Sequence, residues 1–226
     1  MSKKVLILQL DETEQPGFIS AYLRRAGYDF EIVQIFKDYS TVEVDLFSHL
    51  IVLPSPKDTF ECDRYPFLSF AKKIIDDFIL KRKYVLGVCM GCQLIAECLG
   101  EKIGKIIEPE IGFYKLNILD DCTLTKGLLN KNLNVFEWHS MGILTENKIA
   151  IMANSQGCKT QIFQFGDNIF GVQFHLEIDE NLIEMYLEKF DVANKYGFIK
   201  EMTKELNNFK EIQRIIIDNF LNLEVA

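Results

Sequence analysis

The chain has no surplus of basic residues, no apolar run fit for a membrane and no stretch dominated by one residue type. Lys and Arg number 25 against 33 Asp and Glu, a formal net charge of −8 over 226 residues, which argues against general affinity for nucleic acid or anionic membrane surfaces. No apolar run approaches the roughly 18 residues that a membrane-spanning helix requires. The opening Met1-Ser2-Lys3-Lys4 leads into a short apolar run over 5–10, without a small-residue cleavage site, and this reads as a first strand rather than a signal peptide. A cytoplasmic location is expected. No repeat, low-complexity tract or Pro-, Gly- or Ser-rich linker marks a boundary, so one domain over 1–226, with a C-terminal helical extension over about 179–222, is the economical reading.

What is present is an alternation of strand-like and helix-like patterns. Apolar runs at 5–10, 30–36 and 49–53 bracket a helical pattern at 17–26, as βαβ units around a parallel sheet require. Between 66 and 83, Phe67, Phe70, Ala71, Ile74, Ile75, Phe78 and Ile79 recur at helical spacing, with Lys72, Lys73, Asp76 and Asp77 opposite. Residues 84–88 read as a buried strand and 91–99 as a helix ending at Gly100. Two β-rich runs, 161–165 and 169–174, flank Gly166-Asp167-Asn168 as a hairpin. Two helices close the chain, the last near 199–221. The fold class is therefore α/β, a mostly parallel sheet flanked by helices. The six cysteines are expected to be reduced, most of them small core fillers.

One of them stands apart. Gly87-Val88-Cys89-Met90-Gly91-Cys92-Gln93 sits where a strand gives way to a helix, and glycines on both sides of a nucleophile permit a sharp turn and clear the approach to it. The unpaired N–H groups and dipole of a helix N-terminus favour a thiolate there. Cys89 and Cys92 also form C-x-x-C, a thioredoxin-like redox pair in some βαβ contexts, but that reading leaves the later His-x-Glu unexplained. A zinc site would need two more closely spaced ligands, which are lacking.

A thiol nucleophile needs a base and a group to orient it. Three histidines are available, His49, His139 and His175. His175 follows a buried strand, and in an extended segment Glu177, two residues on, would share its face and accept a hydrogen bond from it. His139, in Phe136-Glu137-Trp138-His139-Ser140, is expected to be structural or to line the pocket, and His49 to be structural.

These residues resemble a known family. Residues 87–93 are similar to the G-x-C-x-G-x-Q nucleophile motif of class I glutamine amidotransferases, and 171–177 to their Q-F-H-P-E segment. Leu53-Pro54-Ser55-Pro56 with Tyr65-Pro66-Phe67-Leu68 resembles their oxyanion loop and the helix after it. Glu110-Ile111-Gly112-Phe113 resembles the E-I-G-W turn, and 136–140 the F-x-W-H-G-D segment, of free-standing members similar to the amidotransferase domain of GMP synthetase. The resemblance implies a flavodoxin-like class I amidotransferase fold and a Cys89–His175–Glu177 triad. It also implies an oxyanion hole from the backbone N–H groups of Met90 and Ser55, and a substrate pocket involving Gln93, His139, Ser140 and Met141. The chain departs from the pattern in three places: Pro54-Ser55 stands for Gly-Gly, Leu176 for the proline between His and Glu, and Ser140-Met141 for Gly-Asp.

The implied chemistry is hydrolysis of the γ-amide of glutamine or of a γ-glutamyl compound through a thioester on Cys89, with no metal or organic cofactor. No ATP-using synthetase domain fits in this length. Either a separate synthetase subunit takes up the ammonia, or the protein acts alone as a γ-glutamyl hydrolase or peptidase. A binding or regulatory domain that has lost turnover is the non-catalytic alternative.

Overall fold

The structure is a computed structural model that describes residues 3–39, 42–120, 122–129, 131, 133–145, 147–189 and 195–223. Its centre is a sheet whose parallel half runs in the order β2 (Asp29–Gln34), β1 (Lys4–Gln9), β3 (His49–Val52), β4 (Tyr84–Val88) and β9 (Ile169–Val172). Every residue of β3, β4 and β9 is buried, as expected for strands covered on both faces. Beyond β9 the sheet turns antiparallel through β8 (Ile162–Phe165), β7 (Ala150–Asn154), β5 (Ile103–Ile118) and β6 (Leu133–Ile143). A 3-10 turn at Val44–Leu46 precedes β3.

Two apolar clusters fill the two faces. On one, α2 (Phe67–Leu80) and α3 (Met90–Cys98) pack Phe67, Leu68, Ile75, Phe78 and Leu94 against Leu6, Leu8 and Val52. On the other, α1 (Gly17–Ala26), α4 (Glu180–Lys189) and α5 (Lys195–Leu221) pack Ile19, Leu23, Leu182, Phe209, Ile216 and Phe220 against Val5, Ile7 and Ile51. The alternation of faces along β1 follows from the period of two in a strand.

Most expected elements fall within a residue or two of their sequence positions. Three expectations need correction. Glu110-Ile111-Gly112-Phe113 is the middle of β5, not a turn; the chain is irregular there because the β5–β6 register shifts between Lys105 and Glu110 and Gly112 adopts φ +115°. Past the end of β9 the chain bends at Gln173 and Phe174 and turns at Leu176 and Glu177, so His175 and Glu177 do not share a strand. All six cysteines are free, but Cys62, Cys98 and Cys122 are only half-buried, so apart from Cys89 the core-filler role holds for Cys92 and Cys158 alone.

Candidate active site

The parallel strands deliver their C-terminal ends to one edge, the usual place for a site in open α/β sheets. β4 ends at Val88, and Cys89 follows with φ 50° and ψ −111° as the N-cap of α3. This is a conformation that a non-glycine residue adopts only when its surroundings enforce it. Here the Cys89 N–H donates to Val172 O at 2.9 Å and its carbonyl accepts from Gln93 N at 3.1 Å, tying the turn to β9 and to α3. The flanking glycines are needed because backbone passes too close for a side chain. A Cβ on Gly87 would lie 2.6 Å from Cys92 Cα, and one on Gly91 would collide with the carbonyl of Val52 at the end of β3.

The turn after β9 brings His175 beside Cys89. His175 Nδ1 is 2.6 Å from Glu177 Oε1, and both side chains are buried. Burial alone would discharge the ring, but the facing Cys89 sulfur and the Glu177 carboxylate outweigh it and hold the His175 imidazolium well above the usual histidine range. With Nδ1 committed to Glu177, Nε2 is left for the thiol. Leu176, in place of a proline, does not prevent the His175–Glu177 contact; its carbonyl and that of Ile178 accept from Gln213 Nε2 of α5 at 2.9 and 2.8 Å.

Cys89 opens into a cleft of about 250 Å3. The loop of Ser55, Pro56, Lys57 and Asp58 forms one wall, Met90 and Gln93 line it beside the cysteine, and Pro109, Ile111, Trp138, His139, Ser140 and Met141 form the other wall. The structure thus gathers every residue singled out for this pocket in the sequence. Gln93 is not idle: its Nε2 donates to Met141 O at 3.0 Å and to Gln173 Oε1 at 3.1 Å, while Gln173 Nε2 reaches Cys89 Sγ at 3.6 Å. Lys57 pairs with Asp11 and lies over the Tyr65 ring at 5.1 Å. Ser55 Oγ accepts from Lys57 N at 3.3 Å, which braces the loop after Pro54.

His139, which lines the cleft, is also the centre of a buried cluster of carboxylates. Its Nδ1 meets Met141 O at 2.8 Å, and its Nε2 lies 3.2 Å from Glu110 Oε2 and 3.1 Å from Glu137 Oε2. All three are acceptors, so the arrangement calls for a doubly protonated ring. Burial opposes that charge, but Glu110 and Glu137 overcome it and raise the His139 pKa to about 10. Glu110 is further satisfied by Ser155 Oγ at 2.7 Å, Gln161 Nε2 at 2.9 Å and Gly157 N at 3.3 Å. Burial lifts the Glu137 carboxyl, with His139 pulling it back, to about 7.

Glu110, His139 and Cys158, and likewise Glu14, His175 and Glu177, each bring potential metal-ligand atoms within 4.8 Å of one another. In both groups the histidine already engages a carboxylate, and the geometry is that of hydrogen-bonded ion pairs. His49 stands apart, buried against Tyr84 with Nδ1 2.8 Å from Ser48 Oγ. Sequence reasoning missed Glu14 and Tyr186, which back the His175–Glu177 pair. No local pattern could have found them, because they are separated by 172 positions in the chain.

Comparison with known proteins accords with this geometry. The family model of "Glutamine amidotransferase class-I" matches residues 17–192. A subunit of the glutamine-hydrolyzing GMP synthase of Sulfurisphaera tokodaii is 36% identical over 53% of this chain and 65% of its own length. The glutamine amidotransferase-like protein YfeJ of Salmonella typhimurium is 33% identical over 81% of this chain and 82% of its own. Gamma-glutamyl peptidase 3 of Arabidopsis thaliana is 25% identical over 72% of this chain and 65% of its own. A crystal structure of a glutamine amidotransferase from Thermotoga maritima superposes with a TM-score of 0.89 at 21% identity, over 99% of this chain and 100% of that one, and shows the fold. Among the described residues no helix is long and apolar enough to cross a membrane. With the family match covering most of its length and the cysteine, histidine and carboxylate side chains meeting at one edge of the sheet, the chain belongs to the class I glutamine amidotransferases.

Proposed function

We propose that the protein is a cytoplasmic cysteine hydrolase of γ-glutamyl amides, acting on glutamine or a small γ-glutamyl compound. The observation that carries this reading is the strained Cys89 turn opening into a cleft beside the His175–Glu177 pair. Cys89 sulfur attacks the γ-carbonyl carbon. The oxyanion is held by the backbone N–H of Met90, which has no intrahelical acceptor in the first turn of α3, and by that of Ser55. The C–N bond breaks as His175 gives a proton to the leaving nitrogen, leaving a γ-glutamyl thioester. Water, losing a proton to His175, then releases glutamate and regenerates the thiol. Glu177 fixes the His175 tautomer throughout.

A cleft of about 250 Å3 lies at the small end of ligand sites, which run roughly 300–1,000 Å3 for drug-sized molecules. It suits an amino-acid side chain and a short leaving group. Two outlets for the nitrogen follow. The likeness to a glutamine-hydrolyzing GMP synthase subunit supports transfer of ammonia to a separate synthetase chain. The likeness to a gamma-glutamyl peptidase supports a stand-alone peptidase acting on a conjugate, and Ser140-Met141, which depart from the Gly-Asp of the motif that the sequence resembles, line the cleft.

The test is to incubate the purified protein with glutamine and with a panel of γ-glutamyl amides, following glutamate, and to label it with a glutamine-mimicking diazo-ketone. Selective labelling of Cys89 and loss of turnover in Cys89→Ala are expected. Labelling at Cys92, or full activity in Cys89→Ala, would overturn the assignment.

A further inference from the structure

Behind the His175–Glu177 pair stands a second carboxylate that the hydrolytic chemistry just described does not use. Glu14, in the loop between β1 and α1, is buried, and its Oε2 accepts a hydrogen bond from the hydroxyl of Tyr186 on α4. The Tyr186 oxygen lies 3.5 Å from His175 Nδ1, and its ring meets the His175 ring edge-on at 5.8 Å and that of Trp138, in the pocket wall, at 5.6 Å.

We propose that Glu14 and Tyr186 are positioning residues: Glu14 draws the Tyr186 proton towards itself, so that the Tyr186 oxygen can only accept from His175 and secures the Nδ1–H tautomer. This rests on the reading of His175 as the acid/base.

The argument is one of proton count. A phenol has a single proton. If that proton pointed at His175 Nδ1, it would compete with Glu177 for a ring nitrogen that must itself donate, and would favour the tautomer with its proton on Nε2. Such a ring cannot take the thiol's proton. Glu14 removes that option by accepting the proton at the far side. The contact to Nδ1 is long at 3.5 Å, and it strengthens when the ring becomes an imidazolium.

The burial of Glu14 makes sense in the same way. Burial and the neighbouring Glu177 and Asp11 raise its pKa, whereas the His175 charge and the Tyr186 hydrogen bond pull it down. A buried carboxylate is costly unless paired and hydrogen-bonded, and the cation acting on this one is His175. The groups that face His175 are Glu177 on its own turn, Tyr186 from α4, Glu14 from the β1–α1 loop, Cys89 at the β4–α3 junction and Glu137 from β6.

The experiment needs no knowledge of the natural substrate. The rate at which iodoacetamide alkylates Cys89 is measured against pH in the whole chain, for the wild type, Glu14→Gln, Glu14→Asp and Tyr186→Phe, with His175→Ala as reference. Melting temperatures and γ-glutamyl turnover are recorded in parallel. We expect Glu14→Gln and Tyr186→Phe to shift the pH profile of alkylation. Its acid edge should move up, because a less supported imidazolium holds the Cys89 thiolate less well and the thiolate then forms only at higher pH. Turnover should fall about tenfold with KM unchanged, as for loss of one support to a general acid–base group, and Glu14→Asp should recover part of it. Rates that scale equally at every pH, or a lowered melting temperature with unmoved edges, would mark a structural role and overturn the proposal. Should Tyr186→Phe fail to fold, the near-isosteric Glu14→Gln decides alone. If His175→Ala keeps the wild-type profile, the acid/base reading itself is wrong and the inference falls with it.

Discussion

At the scale of single residues, the chain contains two histidines with a glutamate two positions away, Glu137–His139 and His175–Glu177, and the spacing does not tell them apart. Their surroundings do. His175 has one ring nitrogen on Glu177 and the other left for Cys89, whereas both His139 nitrogens are taken by Met141 O and by two carboxylates. His139 is therefore a buried counter-ion, and its removal strands Glu110 and Glu137 together in the interior. His139→Ala is expected to cost about 3–5 kcal/mol at neutral pH, the usual cost of leaving a buried charge without its partner. The loss should shrink at pH 5, because the two carboxylates can then take up protons. Chemical denaturation at the two pH values measures it; an equal loss at both would show that lost packing, not charge, is responsible. His175→Ala should abolish turnover about as fully as Cys89→Ala, since a catalytic unit fails as a whole, and Glu177→Gln should cost less. The residues legible in the sequence were those marked by a short pattern, Cys89 between its glycines and His175 before its glutamate. Gln213, Glu14 and Tyr186 reach the site from distant elements, and their roles exist only in the folded chain.

At the scale of elements, legibility followed periodicity. The α2 helix (Phe67–Leu80) and strand β4 (Tyr84–Val88) were readable because each buries one stripe or both faces of a regular element. Strand β5 (Ile103–Ile118) was not, because it is largely exposed, shifts register against β6 and passes through Gly112 at positive φ, so no period of two survives in its residues. The junction of β3 with α5 offers a test of how elements hold together. His49 on β3 stacks on Tyr84 of β4 at 4.8 Å and takes the Phe220 ring of α5 edge-on at 5.2 Å. Burial, aided by the Lys3 charge, depresses its pKa from 6.5 to about 4. The sign follows from linkage. Between these values the unfolded chain holds a proton on His49 that the folded chain refuses, so stability is fully present above about pH 6.5 and is lost as pH falls through 4. At 1.36 kcal/mol per pH unit the loss is about 3 kcal/mol. His49→Phe, which keeps the ring stacking without the titration, should flatten the acid side of a plot of melting temperature against pH. An unchanged slope would place the acid sensitivity elsewhere, in the buried carboxylates.

At the scale of the whole molecule, the match to the family stops at residue 192, yet α5 (Lys195–Leu221) is built into the site rather than appended to it. Leu206, Phe209, Ile216, Phe220 and Leu221 belong to the same apolar cluster as β1 and β3. From the middle of α5 the buried Gln213 sends both amide protons to the carbonyls of Leu176 and Ile178, the two residues on either side of Glu177. Backbone groups in such a turn have no strand partner, and an unpaired buried carbonyl costs about 1–3 kcal/mol. The helix therefore supplies the hydrogen bonds that the turn lacks, and through them holds the Glu177 carboxylate against His175. Two consequences separate packing from positioning. A chain ending at residue 194 should not fold to a cooperative unit, since it strips Leu206, Phe209, Ile216 and Phe220 from the face of the parallel sheet that α1 and α4 cover only in part; circular dichroism melting would show this directly. Gln213→Leu keeps the apolar packing of α5 but removes both donors. It should lower stability by a few kcal/mol, and at a temperature where it remains fully folded it should still reduce γ-glutamyl turnover, because Glu177 loses its fixed backbone. If the folded Gln213→Leu protein turns over at the wild-type rate, the helix matters to the fold alone and the Glu177 turn is held in place by Phe18 N, which donates to Glu177 O at 2.8 Å from the start of α1.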